Sequence, residues 1–347
     1  MRKPVHLVGS VAMDTCEEVF ERLSETVGPH ISRLPDGETG KRSRWIAFQR
    51  EILMEHPGIE VDPTVPELEI HEWNGRLLRA MPLLRFKDGT DLESIRFETG
   101  YDTAALDSHG VFGTMRGNGR MPEGVPFQVC LPTPMSAAYM YISYKAHQDF
   151  INVYERSLRT ALGRILDGIP HEDLAIQYDV CQEVLMFENY FPYRPEDYKE
   201  QVFDLLGRLG NAVPEDVQLG YHLCYGSPAD EHLVMPGDTE ILVEMMNGIG
   251  AAVTRKIEFL HIPVPRDRTD DAYFRPLHDL KIDRDIELYL GLIHHDDEAG
   301  DAARIAAARK YVDELGISTE CGWGRTDPAR VPGLLESHRK QARLISD

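Results

Sequence analysis

The chain has 347 residues, 42% of them hydrophobic and 27% charged, and its 37 basic against 58 acidic residues give a net charge of −21. That length builds one large domain or two ordinary ones, and the acidity excludes nucleic acid as an expected partner, because neutralising phosphates needs a basic face. No run of about 18 apolar residues occurs, so no membrane span is expected.

The start, Met1-Arg-Lys-Pro-Val-His-Leu-Val-Gly9, has basic residues but no apolar signal-peptide core, and reads as a first strand. Five cysteines in a chain this long do not make a disulfide framework, which points to a reducing cytoplasm.

In chain order, short β-rich runs alternate with amphipathic segments. The predicted strands are Val5–Ser10, Ile31–Pro35, Phe127–Leu131, Leu174–Val180, Gln218–Cys224, Ile257–Ile262, Glu287–His294 and Gly316–Cys321. Helical periodicity covers Cys16–Val27, Gln148–Leu166, Glu196–Leu209, Thr239–Ile249, Ala302–Leu315 and Arg330–Leu344. Alternation of this kind predicts an α/β fold with a parallel sheet. The count of eight favours a single (β/α)8 TIM barrel over residues 1–347. A doubly wound open sheet is the alternative, but no glycine-rich dinucleotide fingerprint follows the first strand. Residues 41–125 break the rhythm and are expected to be a long insertion after the second strand, placed to cover the barrel mouth. Within it, Gly110–Gly124 is rich in glycine and reads as a lid or substrate loop, or equally as a surface excursion.

Barrel chemistry gathers where strands end. The fifth strand ends in His222-Leu-Cys224 and the eighth in Glu320-Cys321-Gly322. Strand side chains alternate faces, so His222 and Cys224 project the same way. One imidazole and two thiolates make a good partial shell for Zn²⁺. His261, at the end of the sixth strand, is the first choice for a fourth ligand. Glu258 is the second, and water or substrate the third.

Asp179 closes an apolar strand and is a candidate proton acceptor or orienting carboxylate, or else a helix N-cap. His294 and His295 are candidate acid–base groups, since imidazole titrates near neutrality. Solvated loop histidines are the bland alternative. Ser10, Asp36, Glu38, Gln177 and Glu183 complete the polar inventory as candidate substrate-binding residues, although Asp36-Gly37 also suits an ordinary turn.

At these residues the chain resembles the cobalamin-independent methionine synthase family, within the superfamily that includes uroporphyrinogen decarboxylase. The likeness is to that synthase's C-terminal catalytic barrel. It rests on His222-Leu-Cys224-Tyr225, on Glu320-Cys321-Gly322, on Gly9-Ser10 and on Ile176-Gln-Tyr-Asp179, in the family's order and across most of the chain. The chain departs from the family pattern at several points. Val180-Cys181 stand where the family has Glu-Pro. Gly37-Glu38-Thr39-Gly40 keeps only the first acid of Gly-Glu-x-Glu. His261 stands where the family's sixth strand supplies a glutamate to zinc. The family's N-terminal barrel for folate polyglutamate is absent at this length.

The resemblance implies a zinc-dependent transferase that moves a methyl or other alkyl group to a zinc-activated thiol, with a small-molecule thiol and a methyl donor as partners. The departures place homocysteine as acceptor in question. Outer helices offer surfaces for a homodimer. Two other readings stay open: a zinc lyase or hydratase acting on an oxygen substrate, and a metal-free binding barrel in which His222 and the cysteines are core residues.

Overall fold

The computed structural model describes residues 3–346; Met1, Arg2 and Asp347 lie outside them. Seven parallel strands form one sheet in the order Leu34–Pro35, Phe127–Pro132, Leu174–Val180, Gln218–Leu223, Phe259–Pro263, Glu287–Gly291 and Gly316–Ile317. Sequence order and spatial order agree, so each strand lies beside the next one in the chain. The strands Phe127–Pro132 and Leu174–Val180 are buried along their whole length. Near-continuous apolar runs of this kind mark a parallel sheet covered on both faces.

The expected first strand, Val5–Ser10, does not form a ladder. Val5 makes single parallel bridges to Ile31 and Ile317, and Ser10 makes one to Gly37. Backbone bonds from Val5 N–H to the His30 carbonyl and from His6 N–H to the Ile317 carbonyl hold its start, and side chains from the sheet hold the residues that follow. Gln128 Nε2 donates to the carbonyl of Leu7 at 3.0 Å, and Gln177 Nε2 donates to that of Val8 at 2.6 Å. Buried carbonyls need partners, and here glutamine amides take the place of a neighbouring backbone.

The helices follow their apolar periodicity. Cys16–Val27 begins at Thr15, whose hydroxyl accepts the Glu18 N–H at 3.2 Å, and it buries Val19, Phe20, Leu23 and Val27 on one face. His147–Gly168, Tyr198–Gly210, Glu240–Ala252, Glu298–Ala308 and Val331–Ser346 supply the other outer helices. Among the described residues no helix is long and apolar enough to cross a membrane.

Residues 41–125 are more structured than their composition suggests. They contain two antiparallel pairs, Ile59–Val61 with Leu84–Phe86 and Leu68–His71 with Leu77–Met81. They also contain the helix Tyr101–Gly117. The glycine-rich stretch read as a loop is therefore helical to Gly117. Added methyl groups at Gly110, Gly113 and Gly117 would meet open space, so these glycines lie on the outer side, where the helix tolerates them. The buried side carries Phe112, packed edge-on against Phe20 and beside Phe127.

Sheet register sets up the site. Asp179 pairs with His222, and His222 pairs with His261, so three candidate residues stand in one row across neighbouring strands. One row below, Gly220 faces the Phe259 ring, which a methyl group would meet at 2.4 Å. Only glycine lets that ring fill the space beneath the row.

Candidate metal centre and substrate cavity

His222, Cys224 and Cys321 converge at the strand ends, with one ligand atom from each lying within 4.8 Å of the other two. Cys224 Sγ and Cys321 Sγ are 3.7 Å apart. The Cys224 sulfur also accepts the Gly226 N–H at 3.3 Å, and Arg325 donates to the Cys321 sulfur at 3.2 Å. The Cys321 thiol is pulled well below its ordinary range, first by the hydrogen bond from Cys224 and then, against burial, by the Arg325 charge. Cys224 is pushed up in turn by its Cys181 and Cys321 neighbours and by burial. A cation held between the two sulfurs would favour the ionised form of both.

His222 is buried, and its Nε2 has no hydrogen-bond partner among the described residues. Its Nδ1 lies 2.6 Å from His261 Nδ1, and His261 Nε2 lies 3.0 Å from the Thr319 carbonyl. A buried ring nitrogen left unpaired beside two thiols fits a metal site. His261 is absent from the three-residue cluster, and both its nitrogens are engaged elsewhere. Glu258 sits at the other end of its strand, accepting from the Leu219 N–H and from Arg255.

The loop that carries Cys321 is pressed against the first segment. Trp323 N–H donates to the Ser10 carbonyl at 2.6 Å and Gly324 N–H to Ser10 Oγ at 3.1 Å. A methyl at Gly322 would lie 2.4 Å from Ser10 Oγ. The glycines flanking the cysteine are thus set by close approach, and Ser10 is their clamp.

Beside the cluster opens a cavity of about 730 Å³ whose walls include Ser10, Glu38, Trp45, Asp179 and Arg325 together with His222, Cys224 and Cys321. A second wall is apolar, with Ile70, Leu78 and Met81 from the 41–125 segment and Met140 and Leu233 opposite. A mostly apolar cavity with a few convergent polar groups is the usual form of a small-molecule site.

Asp179 accepts from Trp45 Nε1 at 3.0 Å and from Gln177 Nε2 at 2.8 Å. Burial raises its carboxyl to about 7. Glu38 is raised to about 8, first by burial and then by the Asp179 charge. Two buried carboxyls that titrate near neutrality in one cavity mark a functional site. Trp45, which donates to Asp179, has φ 51° and ψ −117°, a conformation rare outside glycine.

The remaining candidates are spread more widely. Asp36 lies below the cavity, bound to Arg42, to Ser108 Oγ at 2.7 Å and to the Glu38 N–H at 2.9 Å, so it shapes the Glu38 turn. Gln177 is buried and supports Asp179 from behind. Glu183 is fully buried outside the cavity walls, with neither oxygen hydrogen-bonded among the described residues. His294 is held by the Val264 carbonyl at 3.0 Å, lies 3.6 Å from Glu320, and is depressed by burial to about 4. His295 pairs with the exposed Asp296.

Sequence reading missed Trp45 and His232, and placed Arg325 at the end of the eighth strand without giving it a role beside the cysteines. His232 is buried, 2.6 Å from Glu320. The Glu320 carboxyl, which burial would raise, is pulled down by His232 and His294. None of the three sits in a motif. Their signal is spatial, because each comes from a loop that reaches the cavity from a different part of the chain.

No family model and no curated protein sequence matches the chain. Solved structures do. A B12-independent methionine synthase from Shewanella sp. W3-18-1, in complex with selenomethionine, matches with a TM-score of 0.66 at 13% identity, covering 100% of this chain and 98% of that one. A putative vitamin-B12 independent methionine synthase from Listeria monocytogenes matches with a TM-score of 0.56 at 16% identity, over 100% and 98%. The chain therefore shares its fold end to end with proteins named for the family its motifs resemble.

Proposed function

We propose that this chain is a zinc-dependent transferase, methionine synthase-like without being a methionine synthase, that moves a methyl or other alkyl group onto the sulfur of a small-molecule thiol. The observation that carries the reading is the His222–Cys224–Cys321 triangle with an unpartnered His222 Nε2 at the floor of a substrate-sized cavity. The full-length fold likeness supports it. We further read the sheet as a single-domain (β/α)8 barrel, with the Val5 segment as the stave between Ile317 and Ile31 and residues 41–125 as its cover. Free cysteines suit a reducing cytoplasm.

Zinc at this site would supply the positive charge that keeps a substrate thiol ionised near neutral pH. In the transfer, the thiol S–H proton leaves, the sulfur forms the new S–C bond, and the leaving group departs with the electrons of its bond to carbon and gains a proton. Asp179 and Glu38, at about 7 and about 8, hold or release a proton near neutrality. Trp45 fixes the Asp179 carboxylate through its indole N–H, and Arg325 holds the Cys321 sulfur and the Ser227 carbonyl together. Ile70, Leu78 and Met81 give the cavity an apolar lining for the alkyl group.

The test is elemental analysis of protein purified without added metal or a histidine tag, for wild type, Cys224→Ser and Cys321→Ser. We expect about one zinc per chain in wild type and its loss in either variant. A screen of thiols for S-alkylation then follows. Fresh, reduced protein that contains no zinc would overturn the reading and leave a metal-free binding barrel.

A further inference from the structure

We infer that His261 is a positioning residue behind His222 and not a ligand, so that the metal site has three protein ligands and leaves its fourth position to substrate or water. The inference rests on the metal reading above and concerns how that site is built. The sequence places His261 where a fourth ligand belongs, beside His222 in the sheet register. The geometry gives it other partners.

The Thr319 carbonyl only accepts, so the 3.0 Å contact puts a proton on His261 Nε2. His261 is fully buried between that carbonyl and the His222 ring, with the His6 ring centroid 5.5 Å away. None of these neighbours offsets a positive charge, so the neutral ring is the stable one. Its Nδ1 then carries a lone pair, and the 2.6 Å contact is a hydrogen bond donated by His222 Nδ1–H. That fixes the tautomer of His222, whose Nε2 is left with a free lone pair. Nε2 is also the atom that is buried without a partner. A hydrogen bond that holds a ligating histidine in the right tautomer is the usual outer support of a metal site. Here a second histidine provides it, anchored in turn to Thr319, two residues before Cys321. The Thr319–His261–His222 chain therefore ties the loop of one cysteine to the imidazole beside the other.

Two measurements test this. X-ray absorption of the zinc-loaded protein should show two sulfurs and one imidazole; two imidazoles would overturn the inference. In parallel, zinc affinity is compared for His261→Asn, whose side-chain oxygen can stand in for Nδ1, and His261→Ala. A positioning role predicts a loss of about 10–100-fold in the alanine variant and substantial recovery in the asparagine variant. Equal losses in both would overturn it. Histidine ¹⁵N NMR of the metal-free protein gives a readout that needs no zinc, and covers the case in which either variant misfolds. His222 should carry its proton on Nδ1, and a proton on Nε2 would overturn the inference. If the chain binds no zinc, the functional proposal fails, and the NMR result still decides what His261 does.

Discussion

Trp45 donates its indole N–H to Asp179 Oδ2 at 3.0 Å from a backbone at φ 51° and ψ −117°. Such a conformation costs on the order of 1–3 kcal/mol and persists where surrounding structure enforces it. The strain aims a hydrogen-bond donor at a buried carboxyl whose one other donor among the described residues is Gln177.

The hydrogen bond stabilises the ionised form of Asp179, against burial that holds the group at about 7. Trp45→Phe keeps the ring and removes the donor. Asp179 should then titrate about one unit higher, as expected for a lost hydrogen bond to a charged group. Carbon-detected NMR of labelled aspartate carboxyls measures this directly, and the acid limb of any pH–rate profile should move the same way. An unchanged Asp179 titration would mean that the indole is only a wall of the cavity.

Glu183 gives a prediction about stability. Burial raises its carboxyl to about 7, with the nearby Thr133 hydroxyl pulling the other way. In the unfolded chain the group titrates near its ordinary value of about 4.3. Between these values the native state keeps a proton that the unfolded state releases, so this group makes stability fall as pH rises toward about 7. Glu183→Gln removes the term while keeping the shape. Melting temperatures of wild type and variant should lie close together at pH 5 and separate by pH 8, with the variant higher. A constant offset at all pH values would show that glutamine changes packing alone.

The parts of this molecule that were legible in the sequence are those encoded locally. Apolar runs ending in polar residues marked the sheet strands, and two-residue spacing put His222 and Cys224 on one face. The first strand was over-read because Val5–Ser10 has strand composition, while its carbonyls are satisfied by Gln128 and Gln177 from strands far along the chain. The helix Tyr101–Gly117 was under-read because glycines weaken the pattern on its outer face. The hairpins of residues 59–86 have strands of three to five residues, too short for alternation to register. His261 shows the limit most plainly. Its position in the register was readable, but the direction of its two nitrogens was not, because that depends on a carbonyl 58 residues away.

Gly322 separates close approach from backbone freedom. A methyl there would meet Ser10 Oγ at 2.4 Å and Ser10 N at 2.9 Å. The hydroxyl can rotate away, but the backbone nitrogen cannot, so Gly322→Ala must displace the loop that carries Cys321. We expect a loss of about 1–3 kcal/mol in chemical denaturation, together with weaker zinc binding. Gly113→Ala, on the open face of its helix, should instead be neutral or stabilising by about 0.5–1 kcal/mol. Equal effects at the two sites would refute the clamp.

Arg325 reaches Cys321 Sγ at 3.2 Å and is anchored by the Ser227 carbonyl at 2.6 Å, so its charge is held over the sulfur. It is the second favourable influence on the Cys321 thiolate, after the hydrogen bond from Cys224. Arg325→Gln should therefore move the Cys321 titration upward, and Cys224→Ala should move it further. Metal-free protein reports this through the pH dependence of iodoacetamide alkylation at Cys321, read by peptide mass. Both variants should shift the inflection toward the ordinary thiol value near 8.5, and each should react more slowly than wild type at pH 6. If Arg325→Gln leaves the inflection in place, the guanidinium serves only to bind the loop at Ser227, and its loss should appear in denaturation curves without touching the sulfur. The two outcomes distinguish an electrostatic role at the cysteine cluster from a purely structural one.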